Sequence, residues 1–255
     1  MNQEAKARLD PSHPRYDSLR KREKIVEGYR AGLVVSQGLI AHGRGEMFDY
    51  LLGETTLPPA LRAERAAAAV MLLAKKPVIS VNGNLAALCP EAVVRLADTA
   101  RARIEVNLFH RSDERAKLIR ELLESRGAKE VLAENPDAFL DRVDHERGRC
   151  HSEGILSSDV VLIPLEDGDR ASALVKMGKS VISIDLNPLS RTSLCATISI
   201  VDEVTRAVPS IARSVEELRN DRATASGTIE SYDNNQTLRS IYKLIIERLG
   251  KLTTD

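Results

Sequence analysis

Residues 159–192 read DVVLIPLEDGDRASALVKMGKSVISIDLNPLSRT. The run DVVLIPL (159–165) is short, apolar and β-branched, the composition of a strand buried on both faces. Glu166–Arg170 turns into a short helix reaching Met177, and SVISIDL (180–186) is the next strand. The same alternation extends in both directions. PVISV (77–81), RIEVNL (103–108), EVLA (130–133) and ATISIVD (196–202) read as strands. Helices are expected over 85–102, 112–126, 203–220 and 235–249. Strands alternating with helices at this spacing predict an α/β domain with a mostly parallel sheet flanked by helices.

The first third of the chain is different. Ser18–Arg30 reads as a helix, with Ser18 as N-cap and Gly32 as stop. In SQGLIAHGRGEMFDYLLGE (36–54), the spacing of Leu39, Ile40, Phe48, Leu51 and Leu52 suits a helix interrupted at Gly43–Gly45. Pro58–Pro59 opens a third helix through ALRAERAAAAVMLLAKK. The expected organisation is an N-terminal helical block, 1–76, packed on an α/β core with C-terminal helices, 77–255, as one structural unit. Asn82-Gly83-Asn84 reads as a turn, and 134–156 gives no firm reading.

Composition narrows the function classes. The 255 residues suffice for a substantial core, with 43% apolar and 29% charged residues. Lys plus Arg and Asp plus Glu both total 37. That balance, with only 3% aromatic residues, argues against a nucleic-acid partner. No apolar run reaches the ~18 residues of a membrane span, and the N-terminus MNQEAKARLD lacks a signal peptide's apolar core. Three scattered cysteines suggest neither a zinc knuckle nor a disulfide framework. A cytoplasmic protein with no membrane partner is expected.

Open α/β sheets bind ligands beyond the carboxyl ends of their strands, and here those ends are dense in polar groups. They carry Asn82 to Asn84, Asn107, Glu166 to Arg170, and Asp185 to Thr192. NGN is as readily a plain turn, and EDGDR as readily a solvated helix cap as a magnesium ligand set. Neither GxGxxG nor a Walker A loop is present. The histidines show no metal spacing, so no metal site is assigned. In AHGRGE, Arg44 with His42 and Glu46 among Gly38, Gly43 and Gly45 suits an anion, because guanidinium binds phosphate or carboxylate as a fork. Pattern alone reaches an α/β protein binding an anionic ligand, most simply a nucleotide.

Taken together, SHPRY (12–16), REKIVEG (22–28), GLIAHGRGEMFDYLLGE (38–54), ISVNGN (79–84), EVNLF (105–109), HERG (145–148), PLEDGDR (164–170), ALVKMGK (173–179), IDLNPLSRT (184–192) and IVDEV (200–204) resemble one family. It is archaeal phosphopantothenate synthetase, or 4-phosphopantoate–β-alanine ligase. The resemblance implies a Rossmann-like fold, a homodimer, and an ATP-dependent ligase of coenzyme A biosynthesis. Such an enzyme joins 4-phosphopantoate to β-alanine and releases AMP and diphosphate. Carried over by position, the ATP contacts would be Arg22, Arg44, Asp185, Leu186, Asn187, Arg191, Thr192, Glu203 and Val204, with Mg2+ expected alongside. His42, Asn84, Asn107 and Arg170 are candidates for phosphopantoate or the β-alanine amine. The competing reading is a non-catalytic nucleotide-sensing module; a dehydrogenase is a third, weakened by the missing glycine fingerprint.

Overall fold

A computed structural model describes residues 10–251, so the polar stretch 1–9 and residues 252–255 lie outside the described residues. Three helices precede the first strand: α1 (Tyr16–Arg30), α2 (Ser36–Leu52) and α3 (Pro58–Leu73). Ser18 lies buried inside α1 rather than capping it, because the helix begins earlier, after Arg15. Gly32 follows α1 with a φ of +76°, the left-handed turn that suits a glycine stop. The predicted interruption of α2 is absent: the helix runs unbroken through Gly43 and Gly45 and stops at the left-handed Gly53. Each mid-helix glycine costs about 1 kcal/mol relative to alanine, and docking of α2 on α1 and on the core offsets this.

Beyond α3 come β1 (Pro77–Val81), α4 (Gly83–Leu88), α5 (Pro90–Ala100), β2 (Arg103–Val106), α6 (Asp113–Ser125) and β3 (Val131–Leu132). The expected helix 85–102 is therefore two helices, divided where Cys89 meets Pro90. The unread segment holds a two-residue antiparallel pair, β4 (Ala138–Phe139) and β5 (Arg149–Cys150), followed by a π turn, Ser152–Leu156. Then follow β6 (Val160–Pro164), α7 (Gly168–Lys176), β7 (Ser180–Ile184), α8 (Arg191–Cys195), β8 (Ile198–Ile200), α9 (Val204–Leu218), α10 (Arg222–Glu230) and α11 (Asn234–Lys251). Neither α8 nor α10 is anticipated in the sequence reading.

The main sheet has six strands in the order β3-β2-β1-β6-β7-β8, and every pairing is parallel. Without the small hairpin this is the doubly wound 3-2-1-4-5-6 order, whose strand direction of travel reverses between β1 and β6. Alternate residues of each strand feed two cores. Ile79, Ile104, Leu162, Ile182 and Ile198 face a cluster that includes residues of α3, α5, α6 and α9. Val78, Val161, Ile163 and Val181 face α7 and the hairpin segment. A third cluster joins Leu52 of α2 to Leu186, Val201 and Ile241, so the N-terminal helices lean over the carboxyl ends of β7 and β8.

Candidate active site

The carboxyl edge of the sheet opens into a cleft of about 430 Å3, walled on one side by α1 and α2. It lies at the switch point between β1 and β6, where two neighbouring connections leave in opposite directions and cannot fill the gap. β6 ends at Pro164; Leu165, expected inside the strand, has a φ of +54°. That left-handed residue lines the cleft and turns the chain so that Glu166 and Asp167 follow it there. Backbone held in this region by a non-glycine residue stores strain and clusters at functional sites.

Asn82-Gly83-Asn84 does more than turn. Asn82 caps α4 by accepting from the Leu85 amide, and its own amide donates to the Pro164 carbonyl across the switch point. A Cβ on Gly83 would collide with the Leu33 carbonyl. Asn84 donates to the Gly38 carbonyl at 2.8 Å, and a Cβ on Gly38 would strike its amide oxygen. The α4 entrance, where a dinucleotide loop would hold phosphate, is thus filled by α2 and its preceding loop.

At the end of the cleft near β7 and β8 stand Lys21, Arg44, Glu46, Leu186, Glu203 and Val204. Among the described residues Arg44 makes no hydrogen bond or ion pair, and its side chain is exposed at the cleft. Arg22 sits at the rim, its guanidinium held by Glu46 at 2.8–3.0 Å. Burial pushes the Glu46 carboxyl up, but hydrogen bonds from Arg22 and Tyr50 leave it below the usual range. His42 lines the wall; its burial lowers its pKa, against a smaller opposing pull from Glu46 and Glu203, so the imidazole is neutral at pH 7. Glu203 caps α9 and lies 3.4 Å from Lys21 Nζ. Beneath them Arg206 donates to both oxygens of Asp49 and to Asp202, and Thr56 donates to Asp202 at 2.6 Å.

The opposite end, near β1, β2 and β6, carries Phe109, His110, Arg115, Arg147, Glu166 and Asp167. Arg147 pairs with Glu166, which also accepts from Arg170. Asp167 caps α7 by accepting from the Arg170 amide. Asp169 is tied to Arg191 at the surface. The EDGDR carboxylates are therefore engaged by arginines and a helix terminus, which disfavours the magnesium reading of that motif. Among the described residues no group of three or more His, Cys, Asp or Glu is placed to hold a metal ion.

Of the residues singled out in the sequence, the cleft brings together His42, Arg44, Asn84, Leu186, Glu203 and Val204. Glu46, Asn82, Gly83, Glu166 and Asp167, named there without a ligand role, also line it, and the remaining residues given such a role stand outside its lining. Arg22 is on the rim. Arg170 is fully buried under Glu166, with a bond to Ser80 and two guanidinium nitrogens unpartnered. Asn107 is buried too, donating to the Arg147 and Arg149 carbonyls. Asp185, whose pKa burial raises, accepts from the Asn187 amide, and Asn187 in turn accepts from Leu189. Thr192 donates to the Glu166 carbonyl, and Arg191 is exposed. Lys21, Asp49, Arg115, Arg147 and Asp202 have no role in the sequence reading. Asp49, Arg147 and Asp202 fall within quoted motifs, GLIAHGRGEMFDYLLGE, HERG and IVDEV.

The family described as phosphopantothenate/pantothenate synthetase matches residues 59–248. A 4-phosphopantoate–β-alanine ligase of Methanosarcina mazei is 55% identical over 244 residues, which span 95% of this chain and 96% of that protein. The ligase of the same name from Thermococcus onnurineus is 50% identical over 96% of this chain and 95% of its own. That of Methanospirillum hungatei is 52% identical, over 94% and 98% respectively.

Proposed function

Because the chain belongs to the phosphopantothenate/pantothenate synthetase family, we propose that the switch-point cleft is where it acts as a 4-phosphopantoate–β-alanine ligase of coenzyme A biosynthesis. The observation that carries the placement is the cleft itself. It lies on the carboxyl edge of the sheet at the switch point between β1 and β6, and fixed cations line it at both ends. ATP would lie at the β7 and β8 end, with Arg44 on its phosphates and Leu186, Glu203 and Val204 beside its nucleoside. Asp185, Asn187, Arg191, Thr192 and Arg22 would stand immediately behind or around it.

The reaction is an acyl activation followed by amide formation. A carboxylate oxygen of phosphopantoate attacks the α-phosphorus of ATP, and the bond to pyrophosphate breaks. The β-alanine nitrogen then attacks the acyl carbon, the bond to AMP breaks, and the amine loses a proton. Two anions meet in the first step, so preorganised positive charge lowers its barrier most. Arg44 is free to supply that charge without first breaking a bond of its own. His42, neutral in the cleft wall, has a ring nitrogen able to take the amine proton. Holding both substrates in one cleft supplies a further share of the rate.

Mg2+ would come with the nucleotide, which supplies phosphate oxygens as ligands. Among the described residues, the cleft's own carboxylates are engaged by Lys21, Arg22, Arg147, Arg170 and Arg206. A homodimer in the cytoplasm completes the reading; Ile40 and Met47 of α2 expose apolar side chains that a second copy would cover. No described helix is long and apolar enough to cross a membrane.

Pyrophosphate and AMP release measured with ATP, 4-phosphopantoate and β-alanine tests the function. Release only when all three are present is expected, as is exchange of labelled pyrophosphate into ATP with phosphopantoate alone. ATP binding with neither signal would instead fit a nucleotide sensor.

A further inference from the structure

The β1–β2–β6 end of the cleft has a composition that the reaction at the other end does not require. Three arginines converge there. Arg147 is nine-tenths buried, and its Nε faces an Asp167 oxygen at 3.6 Å without forming a hydrogen bond. Arg115, on α6, is fixed by bonds to the Leu33 and His110 carbonyls, and also lines the cleft. Arg170 lies fully buried behind them.

Two carboxylates face these arginines, Glu166 and Asp167. Glu166 is shared between Arg147 and Arg170, and one Asp167 oxygen is used by the α7 cap. The third nearby carboxyl, Glu105, accepts from the His151 and Ile155 amides inside the protein, and burial raises its pKa to about 7. Positive charge therefore exceeds negative charge here whenever Glu105 holds its proton. The crowding is visible on Arg147: burial, and next the proximity of Arg170, lower its pKa to about 9. Buried cations with unused donors and like-charged neighbours are stabilised by an incoming anion.

Beside them Phe109 exposes nearly half of its surface, with its ring 6.0 Å from the Arg147 guanidinium carbon. An apolar face next to a cationic pocket matches the chemistry of 4-phosphopantoate. Its phosphate ester sits on a CH2 attached to a carbon that bears two methyl groups.

We propose that Arg147 and Arg115 form the subsite for the phosphate of 4-phosphopantoate, with Phe109 against its methyl groups, so that the enzyme selects the phosphorylated acid over pantoate. Resting on the ligase reading, this orientation turns the carboxylate back along the cleft towards ATP and keeps the two sets of phosphates at opposite ends. Arg170 and Asn107 hold the subsite from behind: Asn107 binds the Arg147 and Arg149 carbonyls, and Arg170 shares Glu166.

The test compares 4-phosphopantoate with pantoate in the full-length protein and in Arg147→Gln and Arg115→Gln variants. Each variant should raise KM for 4-phosphopantoate about 10- to 100-fold, the range for one charged hydrogen-bonding partner. KM for ATP should change less than about two-fold, well under one hydrogen bond's worth. The preference for 4-phosphopantoate over pantoate in kcat/KM should fall with it, because pantoate has no phosphate to lose. An unchanged preference in both variants, or a rise confined to KM for ATP, overturns the subsite. Should Arg147→Gln fail to fold because Glu166 loses a partner, Arg115→Gln decides alone. Calorimetric titration of 4-phosphopantoate without ATP separates the two proposals. Wild-type binding that weakens in the variants supports the subsite even if no turnover is found, which would overturn only the ligase. Equal affinity in all proteins, or no binding to wild type, overturns the subsite.

Discussion

Two buried charge clusters lie under opposite ends of one cleft, and they differ in how fully their hydrogen-bonding groups are used. Under β8, Arg206 donates to Asp49 and Asp202, Thr56 donates to Asp202, and Lys21 approaches Asp49 and Glu203. Under β6, Arg147 and Arg170 converge on Glu166. There Nε and Nη2 of Arg170 and Oδ1 of Asn107 make no hydrogen bond, and Nε of Arg147 faces an Asp167 oxygen at 3.6 Å without forming one. Native proteins leave few buried polar groups unpaired. The first cluster behaves as a joint that binds α2 to α9. The second keeps donors in reserve, and a reserve of donors is what an anionic substrate consumes.

The largest effect expected on stability comes from the joint. Arg206→Ala leaves Asp49 and Asp202 without their main cation and should cost about 3–5 kcal/mol in chemical denaturation, the range for breaking a buried pair. Arg44→Ala should show the opposite profile. Turnover should fall about 100-fold, as for loss of one preorganised charge, while the denaturation midpoint stays unchanged. Near-normal activity would remove Arg44 from the site, and Arg44→Lys should also be slower because it loses the fork.

Arg170→Gln sharpens the comparison directly. It removes few formed bonds and leaves Glu166 paired with Arg147, so it should cost about 1–2 kcal/mol. A loss equal to that of Arg206→Ala would erase the distinction between the clusters.

A subtler test concerns the one loose end of the joint, Glu64 on α3. It is fully buried beside Asp202 and Ser210, and burial raises its pKa to about 8. A folded-state pKa above the unfolded value means stability that is complete below about 4.5 and lost as pH rises through about 8. Wild type should therefore lose stability relative to Glu64→Gln across that window, followed by thermal unfolding at stepped pH. A difference independent of pH would show Glu64 ionised in the fold. Smallest of all, Arg191→Ala should change stability by less than about 0.5 kcal/mol, since its pair with Asp169 is exposed. Any rise in KM for ATP would then come from the nucleotide.

The strands were legible because buried parallel strands are apolar and β-branched throughout: PVISV and VVLIP are buried at every position. Their ends were less so, since the left-handed turn at Leu165 is set by packing around the cleft rather than by residue type. Helix α10, RATASGTIE, buries only Ala225 and shows no apolar stripe to read. The hairpin strands are two residues each, too short for any period to register.

In the site, Arg44 stood out because its glycine-rich neighbours mark it locally. Arg147 and Arg115 did not. The first lies in a segment without a pattern and the second on a helix crowded with other charges, and only the fold sets them side by side. Asp49 and Arg206 are 157 residues apart, so nothing local announces their pairing.

Helix α3 carries one further consequence. Its alanines are fully buried, and they pack on α9, α10 and β8. A helix of small residues presses two backbones together but has little apolar surface per residue with which to hold itself in place. During synthesis α3 emerges early, whereas every one of those partners is made after residue 197. Its burial must therefore wait for nearly the whole polypeptide. A chain stopped short of α9 would leave a row of alanines facing water.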